Sequence, residues 1–480
     1  MKRALLAALA LCSSAAAWSA EPQPCRVAGL RHEVLCGHVT RALDPAKPDG
    51  VKIDVHYVVV PALARRKHPD PVVLLAGGPG QSAIGVAGSV LPMFLRLNNR
   101  YDIVFVDQRG TGRSAPLVCD DPRRQRLAEL ADPARQLAVL GECRAQLQKL
   151  PYGDLRFFTT PLASQDLEAV RQALRAPSLN LVGVSYGTRA ALDYLRQFPK
   201  GVRRLVLDGV APPDMVLPAS FSTDGQAAFD AMLVACEAET ACARRHPGLR
   251  SAWTSWLAQL PQTVTLRHPL TGEPETLALT RDTVISAVRN ALYSPTLAQA
   301  LPAAIHEATA GRPQALLTLG TGLSLRKGTA PATGMHFSVV CAEDVPRLAQ
   351  STDRPGADFG DEGVRFYQRA CADWPLGEVP AAFYTLPRTE VPVLLLSGGA
   401  DPATPPRHGE RVATALGPKA RHVVVPQAGH GVLGQGCMPD LMQRFVDAAG
   451  DDEALKIDVA CIQAIPRPPF FQPLSLEGAR

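Results

Sequence analysis

At 480 residues and 46% hydrophobic composition, the chain can bury a large core, as one large domain carrying an insertion or as two domains. Its formal net charge of +5, without a long basic block, gives nucleic-acid binding little support. Past the first residues no apolar run reaches about 18 residues, which argues against stable membrane insertion.

The chain begins "MKRALLAALALCSSAAAWSA". Lys2 and Arg3 ahead of an apolar run and small residues form the pattern of a secretory signal over residues 1–20. Cleavage fits after Ala17 or after Ala20, and Leu11 is too large for a lipobox at Cys12. The pattern predicts export to a periplasmic or extracellular compartment. The cysteines beyond Cys12 fall into close pairs, Cys25 with Cys36, Cys119 with Cys143, Cys236 with Cys242, Cys341 with Cys371 and Cys437 with Cys461. In an oxidising compartment proximity suggests these as bridges, although spacing alone does not fix connectivity. No C-x-x-C or H-E-x-x-H occurs, so neither a metal site nor a cofactor is expected.

From residue 51 short apolar strands alternate with helical periodicity. "VKIDVHYVVV", "PVVLLAGGPG" and "YDIVFVDQRGTG" read as strands, the last two running into glycine turns. "PLASQDLEAVRQAL" reads as a helix with Ser164 as its N-cap. Then come the strand "LNLVGV", a helix from about Tyr186 to Phe198, and the strand "VRRLVLDGV". Helical stretches dominate between about 213 and 385. Alternation resumes with "VPVLLLSGGADPATPP", "RHGERVATAL" and "RHVVVPQAGHG". This order predicts an α/β fold with a mostly parallel sheet. Its core would span 21–212 and 386–480, interrupted by a largely helical lid at 213–385 over the carboxyl edge of the sheet, where ligands bind. The proline-rich end, "IPRPPFFQP", is expected to lie extended on the surface.

Gly183-Val184-Ser185-Tyr186-Gly187 matches G-x-S-x-G at a strand-to-helix junction, where a strained serine projects clear of its backbone. A serine hydroxyl needs a base, and the base needs a carboxylate to orient it. Asp401 and His430 each follow a strand in the resumed α/β part, which gives the chain order serine, aspartate, histidine. The oxyanion donors would be the backbone N–H of Tyr186 and one from "GGPGQS", Gly78 or alternatively Gly77. Gly78, Gly80 and Ala83 also imitate a dinucleotide fingerprint, with Asp107 ending the next strand. Pro79 and the exported context count against that reading. Asp107 and Arg109 are expected to brace loops, and Ser114 lacks the glycine-flanked elbow.

"GGPGQSA", "DQRGTGRS", "GVSYGTRAAL", "GGADPATP" and "AGHG" together resemble the proline iminopeptidase and tripeptidyl aminopeptidase branch of the α/β-hydrolases, serine peptidase family S33, over about residues 50–465. The resemblance implies a serine exopeptidase acting on peptides with a free N-terminus, with Ser185, Asp401 and His430 as its triad. The histidine that proline iminopeptidases carry before the glycine loop is Ala76 here. An acidic residue two after a lid cysteine is expected near the substrate amine in this family, and Glu343 stands in that place after Cys341, with Asp344 beside it. An esterase or lipase on the same scaffold is the alternative reading, and a non-catalytic binding protein is a third.

Overall fold

The computed structural model describes residues 21–119, 125–321 and 331–472; the expected secretory leader lies outside them. Nine strands form one sheet: β1 (Gln23–Cys25), β2 (Val34–Ala42), β3 (Lys52–Val60), β4 (Val72–Leu75), β5 (Ile103–Val106), β6 (Leu179–Val184), β7 (Val202–Asp208), β10 (Val393–Gly398) and β11 (Ala420–Val425), in the spatial order β1-β2-β3-β5-β4-β6-β7-β10-β11. From β5 across to β11 every pairing is parallel, and β1, β2 and β3 add an antiparallel edge. The architecture is an α/β-hydrolase fold with a mostly parallel sheet.

The central strands are continuous apolar runs because both faces of the sheet are covered. Successive side chains alternate between two cores. Val73, Leu75, Leu181, Leu205 and Leu395 pack on one face, and Val72, Leu74, Val182, Val206 and Leu394 on the other. The helices that bear on the site are α1 (Ala83–Val90), α2 (Thr160–Ala173) and α3 (Tyr186–Gln197). Helix α2 starts earlier than the sequence suggested, with Thr159 in the cap position. Ser164 therefore lies inside the helix, where its buried hydroxyl donates to Asp193 (2.7 Å).

Between β7 and β10 the chain leaves the sheet. This segment includes α4 (Leu217–Ala238), α5 (Arg281–Leu292), α6 (Thr333–Glu343) and α7 (Glu362–Ala372). A two-stranded antiparallel ribbon of β8 (Gln262–Arg267) and β9 (Pro274–Leu279) lies among the helices. A separate core forms here around Phe229, Trp253, Trp256, Val288 and Leu292. The proline-rich end runs largely along the surface without helix or strand, and it is tied down there: Phe470 joins that core, Phe471 N–H donates to Gln299 O (3.0 Å), and Arg467 pairs with Glu239.

All five proximate cysteine pairs are bridged, and Cys341–Cys371 ties α6 to α7. Thiol titration of the protein without residues 1–20, under denaturing, non-reducing conditions, is expected to find less than one reactive thiol per chain. Two or more would contradict this set of bridges. No described helix is long and apolar enough to cross a membrane.

Candidate active site

Ser185 stands between β6 and α3 with φ 57° and ψ −126°, a conformation that is uncommon for a residue with a Cβ. The flanking glycines make the turn possible. A Cβ on Gly183 would lie 2.6 Å from Gly187 O, and one on Gly187 would lie 2.0 Å from Leu75 O. Helix and strands thus pack backbone to backbone, and Ser185 is pushed out at the helix N-terminus. Ser185 N–H donates to Asp208 O (2.8 Å), which ties the turn to the end of β7.

Across the sheet edge, Asp401 follows β10 and His430 follows β11. Asp401 Oδ2 meets His430 Nδ1 at 2.8 Å. Its Oδ1 accepts from the N–H groups of Ala403 (2.7 Å) and Thr404 (2.9 Å), and Oδ2 also accepts from Thr404 Oγ1 (2.7 Å). Burial alone would raise the Asp401 pKa, but His430 and these donors outweigh it and hold the group below the ordinary carboxylate value. Burial likewise works against charge on His430, yet Asp401 wins and the imidazole pKa is raised. These electrostatics suit an imidazole held in one tautomer by an ionised carboxylate.

Sequence reasoning missed three neighbours. Asp208 also sits at a strand end, so position alone does not separate it from Asp401. Its carboxylate instead accepts from the N–H groups of Val432 and Leu433 (2.9 Å) and holds the loop that carries His430. Burial pushes its pKa up to about 6. Thr404 braces Asp401 and approaches His430 Nδ1 (3.1 Å). Tyr293, at the end of α5, takes the His430 N–H on its carbonyl (3.0 Å) and sets its ring edge-on to the imidazole, centroids 4.8 Å apart.

The glycine loop lies against Ser185. A Cβ on Gly77 would be 3.1 Å from Ser185 Cβ and 3.5 Å from its Oγ, and Gly78 follows at φ +110°. Tyr186 is the first residue of α3, whose leading N–H groups have no partner within the helix. Over Gly80 the loop is closed by the backbone of Ala332, whose N–H donates to Gly80 O (2.8 Å). Gly80 is thus covered by backbone rather than open to a ligand, which gives the dinucleotide reading no support. Asp107 links the two neighbouring loops by accepting from Ser82 Oγ (2.6 Å) and the N–H groups of Ile84 and Arg113 (3.1 Å). Arg109 forks onto Asp166 (2.7 Å twice), and Ser114 Oγ accepts from His56 N–H (2.8 Å) with no exposure. Among the described residues no group of three or more His, Cys, Asp and Glu side chains is placed to hold a metal ion.

Glu343 and Asp344 do not line an open cleft. Both are fully buried beside α3. Asp344 is forked onto Arg189 (2.9 and 3.0 Å) and accepts from Leu217 N–H (3.1 Å). Glu343 takes Thr160 N–H (2.7 Å) and Thr160 Oγ1 (3.0 Å), with Arg189 Nη1 at 3.4 Å. Thr160 Oγ1 in turn meets the Tyr186 hydroxyl at 2.6 Å. In this arrangement the two carboxylates neutralise Arg189 and brace the helix that follows Ser185, rather than standing free as acceptors for a substrate amine. Burial pushes the Glu343 pKa up to about 7 against the opposing charge of Arg189. Glu343→Gln is therefore expected to lower hydrolysis of a free-amine peptide and of a small neutral ester by the same factor. A loss confined to the peptide would restore the amine role.

Comparison with known proteins agrees with this geometry. Residues 70–232 match the family model "alpha/beta hydrolase fold", and residues 358–461 match that of the "TAP-like protein". The chain has the α/β-hydrolase fold and carries a TAP-like segment. The hydrolase segment carries Gly78 and Ser185, and the TAP-like segment carries Asp401 and His430. Serine protease Hip1 of Mycobacterium tuberculosis is 27% identical over 82% of this chain and 82% of its own. The tripeptidyl aminopeptidase of Streptomyces coelicolor is 26% identical over 92% of this chain and 85% of its own. Carboxylesterase B of M. tuberculosis is 27% identical over 80% and 78%.

Proposed function

We propose that this hydrolase is an exported serine exopeptidase that releases residues from the free N-terminus of peptides. The observation that carries the reading is the strained Ser185 at the end of β6 together with the Asp401–His430 pair at the ends of β10 and β11. In this reading Ser185 Oγ attacks the scissile carbonyl while His430 Nε2 takes its proton, and Asp401 holds the Nδ1–H. The N–H groups of Tyr186 and Gly78 receive the oxyanion. His430 then gives its proton to the leaving amine, and water releases the acyl group by the same steps reversed. The similarity to a tripeptidyl aminopeptidase supports action near an N-terminus, and the leader-like start and five bridges support export. The similarity to a carboxylesterase keeps ester hydrolysis as the second reading, because the triad alone does not choose between amide and ester.

Labelling with a fluorophosphonate separates catalysis from mere binding. Turnover of free, N-acetylated and ester substrates then separates the two hydrolytic readings. Faster cleavage of free than of N-acetylated peptides is the expected result, and cleavage of esters alone would overturn the exopeptidase reading.

The pH dependence follows from His430. Below its pKa the imidazole is protonated and cannot accept the Ser185 proton, so activity rises with pH through that value. The ordinary value is about 6.5, and the net effect of Asp401 is to raise it. The acid limb of kcat/KM is thus expected to have its midpoint above about pH 6.5. A limb centred below pH 6, or a flat profile from about pH 5 to 8, would contradict the role given to His430.

A further inference from the structure

A frame of partly buried side chains runs from the glycine loop to His430, and a cation stands in it without a counter-charge. The backbone of Pro79 hydrogen-bonds the His336 ring. His336 Nε2 meets the Tyr367 hydroxyl at 2.8 Å, and the Tyr367 ring lies edge-on to Phe221 at 6.5 Å. The Arg289 guanidinium sits over Phe221, Cζ 3.8 Å from the ring centre. Its Nη2 donates to the Tyr293 hydroxyl (3.0 Å), and Tyr293 packs on His430. The chain that leaves the oxyanion loop thus returns at the candidate base, through residues of the inserted segment.

Arg289 is the charged member of this frame. Its Nε is buried without a hydrogen-bond partner, and among the described residues no carboxylate forms an ion pair with it. Two acids that act on the neighbouring Tyr293 and Tyr367 are already committed: Asp344 to Arg189 and Asp401 to His430. Stacking on Phe221 fixes the plane of the guanidinium while leaving part of its donor fork unused. A planar, pre-oriented fork of this kind matches a carboxylate. Its charge also reaches the base, since Arg289 counts among the groups that act on His430.

We propose that Arg289 is a specificity-determining residue that takes a carboxylate on the leaving-group side of the substrate. This rests on the assignment of Ser185 and His430 as nucleophile and base. In that chemistry His430 protonates the leaving group, so the leaving portion lies against the imidazole. From there the guanidinium is reached past a single ring, with Tyr293 4.8 Å from the imidazole and Arg289 Cζ 5.5 Å from Tyr293. At most about three residues of extended chain, at about 3.3–3.6 Å each, fit along that path. The carboxylate is either the C-terminal carboxylate of a short peptide or an acidic side chain just past the scissile bond.

The test compares kcat/KM within matched pairs, for the full-length mature protein and for Arg289→Gln and Arg289→Lys. One peptide pair ends after the scissile bond in glycine or glycinamide. A second carries glutamate amide or glutamine amide there. An ester pair, 3-acetoxybenzoate and 3-acetoxybenzamide, places the carboxylate or a neutral amide on the leaving phenol. The wild type is expected to favour the carboxylate member by about 10- to 100-fold, the range for a charged hydrogen-bonded pair. Arg289→Gln should bring the ratio to near unity, and Arg289→Lys should leave an intermediate ratio because charge remains without the fork. The glycine pair and the glutamate pair distinguish the two sources of the carboxylate. Equal rates within every pair for the wild type, or a preference that survives Arg289→Gln, overturn the proposal while leaving the hydrolase reading intact. If esters are cleaved and peptides are not, the peptidase reading fails, and the ester pair still decides Arg289. Should the glutamine variant not fold, the lysine variant carries the comparison, and an unchanged wild-type ratio in it counts against the proposal. No turnover of either class removes both the assignment of the base and the role of Arg289.

Discussion

Ser185→Ala is expected to leave a folded protein whose turnover is lower by about 10⁶-fold, the usual loss when a triad nucleophile is removed. Alanine keeps the Cβ that already stands 3.1 Å from where a Gly77 Cβ would be, so packing at the turn does not change. The backbone bond from residue 185 N–H to Asp208 O also survives. The strain at φ 57° is common to serine and alanine and does not distinguish the two proteins. The only loss is the hydroxyl. Circular dichroism and thermal unfolding should therefore match the wild type while fluorophosphonate labelling disappears. More than a few per cent of activity in protein free of wild-type contamination would sink the assignment. The loss also tests Ser114, whose hydroxyl is buried and already accepts from His56.

The parts of this site that were legible in the sequence share one property. Ser185, Asp401 and His430 each follow a short apolar strand, so parallel pairing alone delivers them to one edge of the sheet. Their roles follow from residue type at that edge. What was illegible depends on contacts between distant segments. The same strand-end argument applies to Asp208, and only the N–H groups of Val432 and Leu433 show that it holds a loop. Glu343 and Asp344 look like exposed lid acids until α3 brings Arg189 against them. Strand β2 escaped notice because Gly37 and polar residues break its pattern. The glycine is there for packing, since a Cβ would fall 2.4 Å from the Tyr57 ring. The β8–β9 ribbon has alternating residues around a Thr-Gly turn, a readable signal outweighed by the helical periodicity around it. Serine favours a cap position, which is why the sequence points to Ser164 there, whereas its hydroxyl serves Asp193 one helix away.

Asp401→Asn should lower kcat/KM by about 10⁴-fold, the scale reported for losing the orienting carboxylate of a triad, with little change in folding. The direction follows from which oxygen does what. Oδ1 accepts two backbone N–H groups, from Ala403 and Thr404. An asparagine must keep its carbonyl there, because its NH₂ would face two donors. The NH₂ then takes the place of Oδ2, against His430 Nδ1. A donor at that point demands an unprotonated Nδ1, so the proton moves to Nε2 and the imidazole can no longer accept from Ser185. The hydroxyl of Thr404, which now donates to Oδ2, can turn to leave room for the amide, and the turn after β10 keeps its backbone bonds. Stability should thus shift by a few degrees at most while peptide hydrolysis, ester hydrolysis and fluorophosphonate labelling fall in parallel. Asp208→Asn makes the informative contrast. Its carboxylate faces backbone N–H groups with both oxygens, so an amide there disturbs the His430 loop without dictating the tautomer. A loss below about tenfold in Asp401→Asn would mean that Asp401 does not orient the base, whatever the loss in Asp208→Asn.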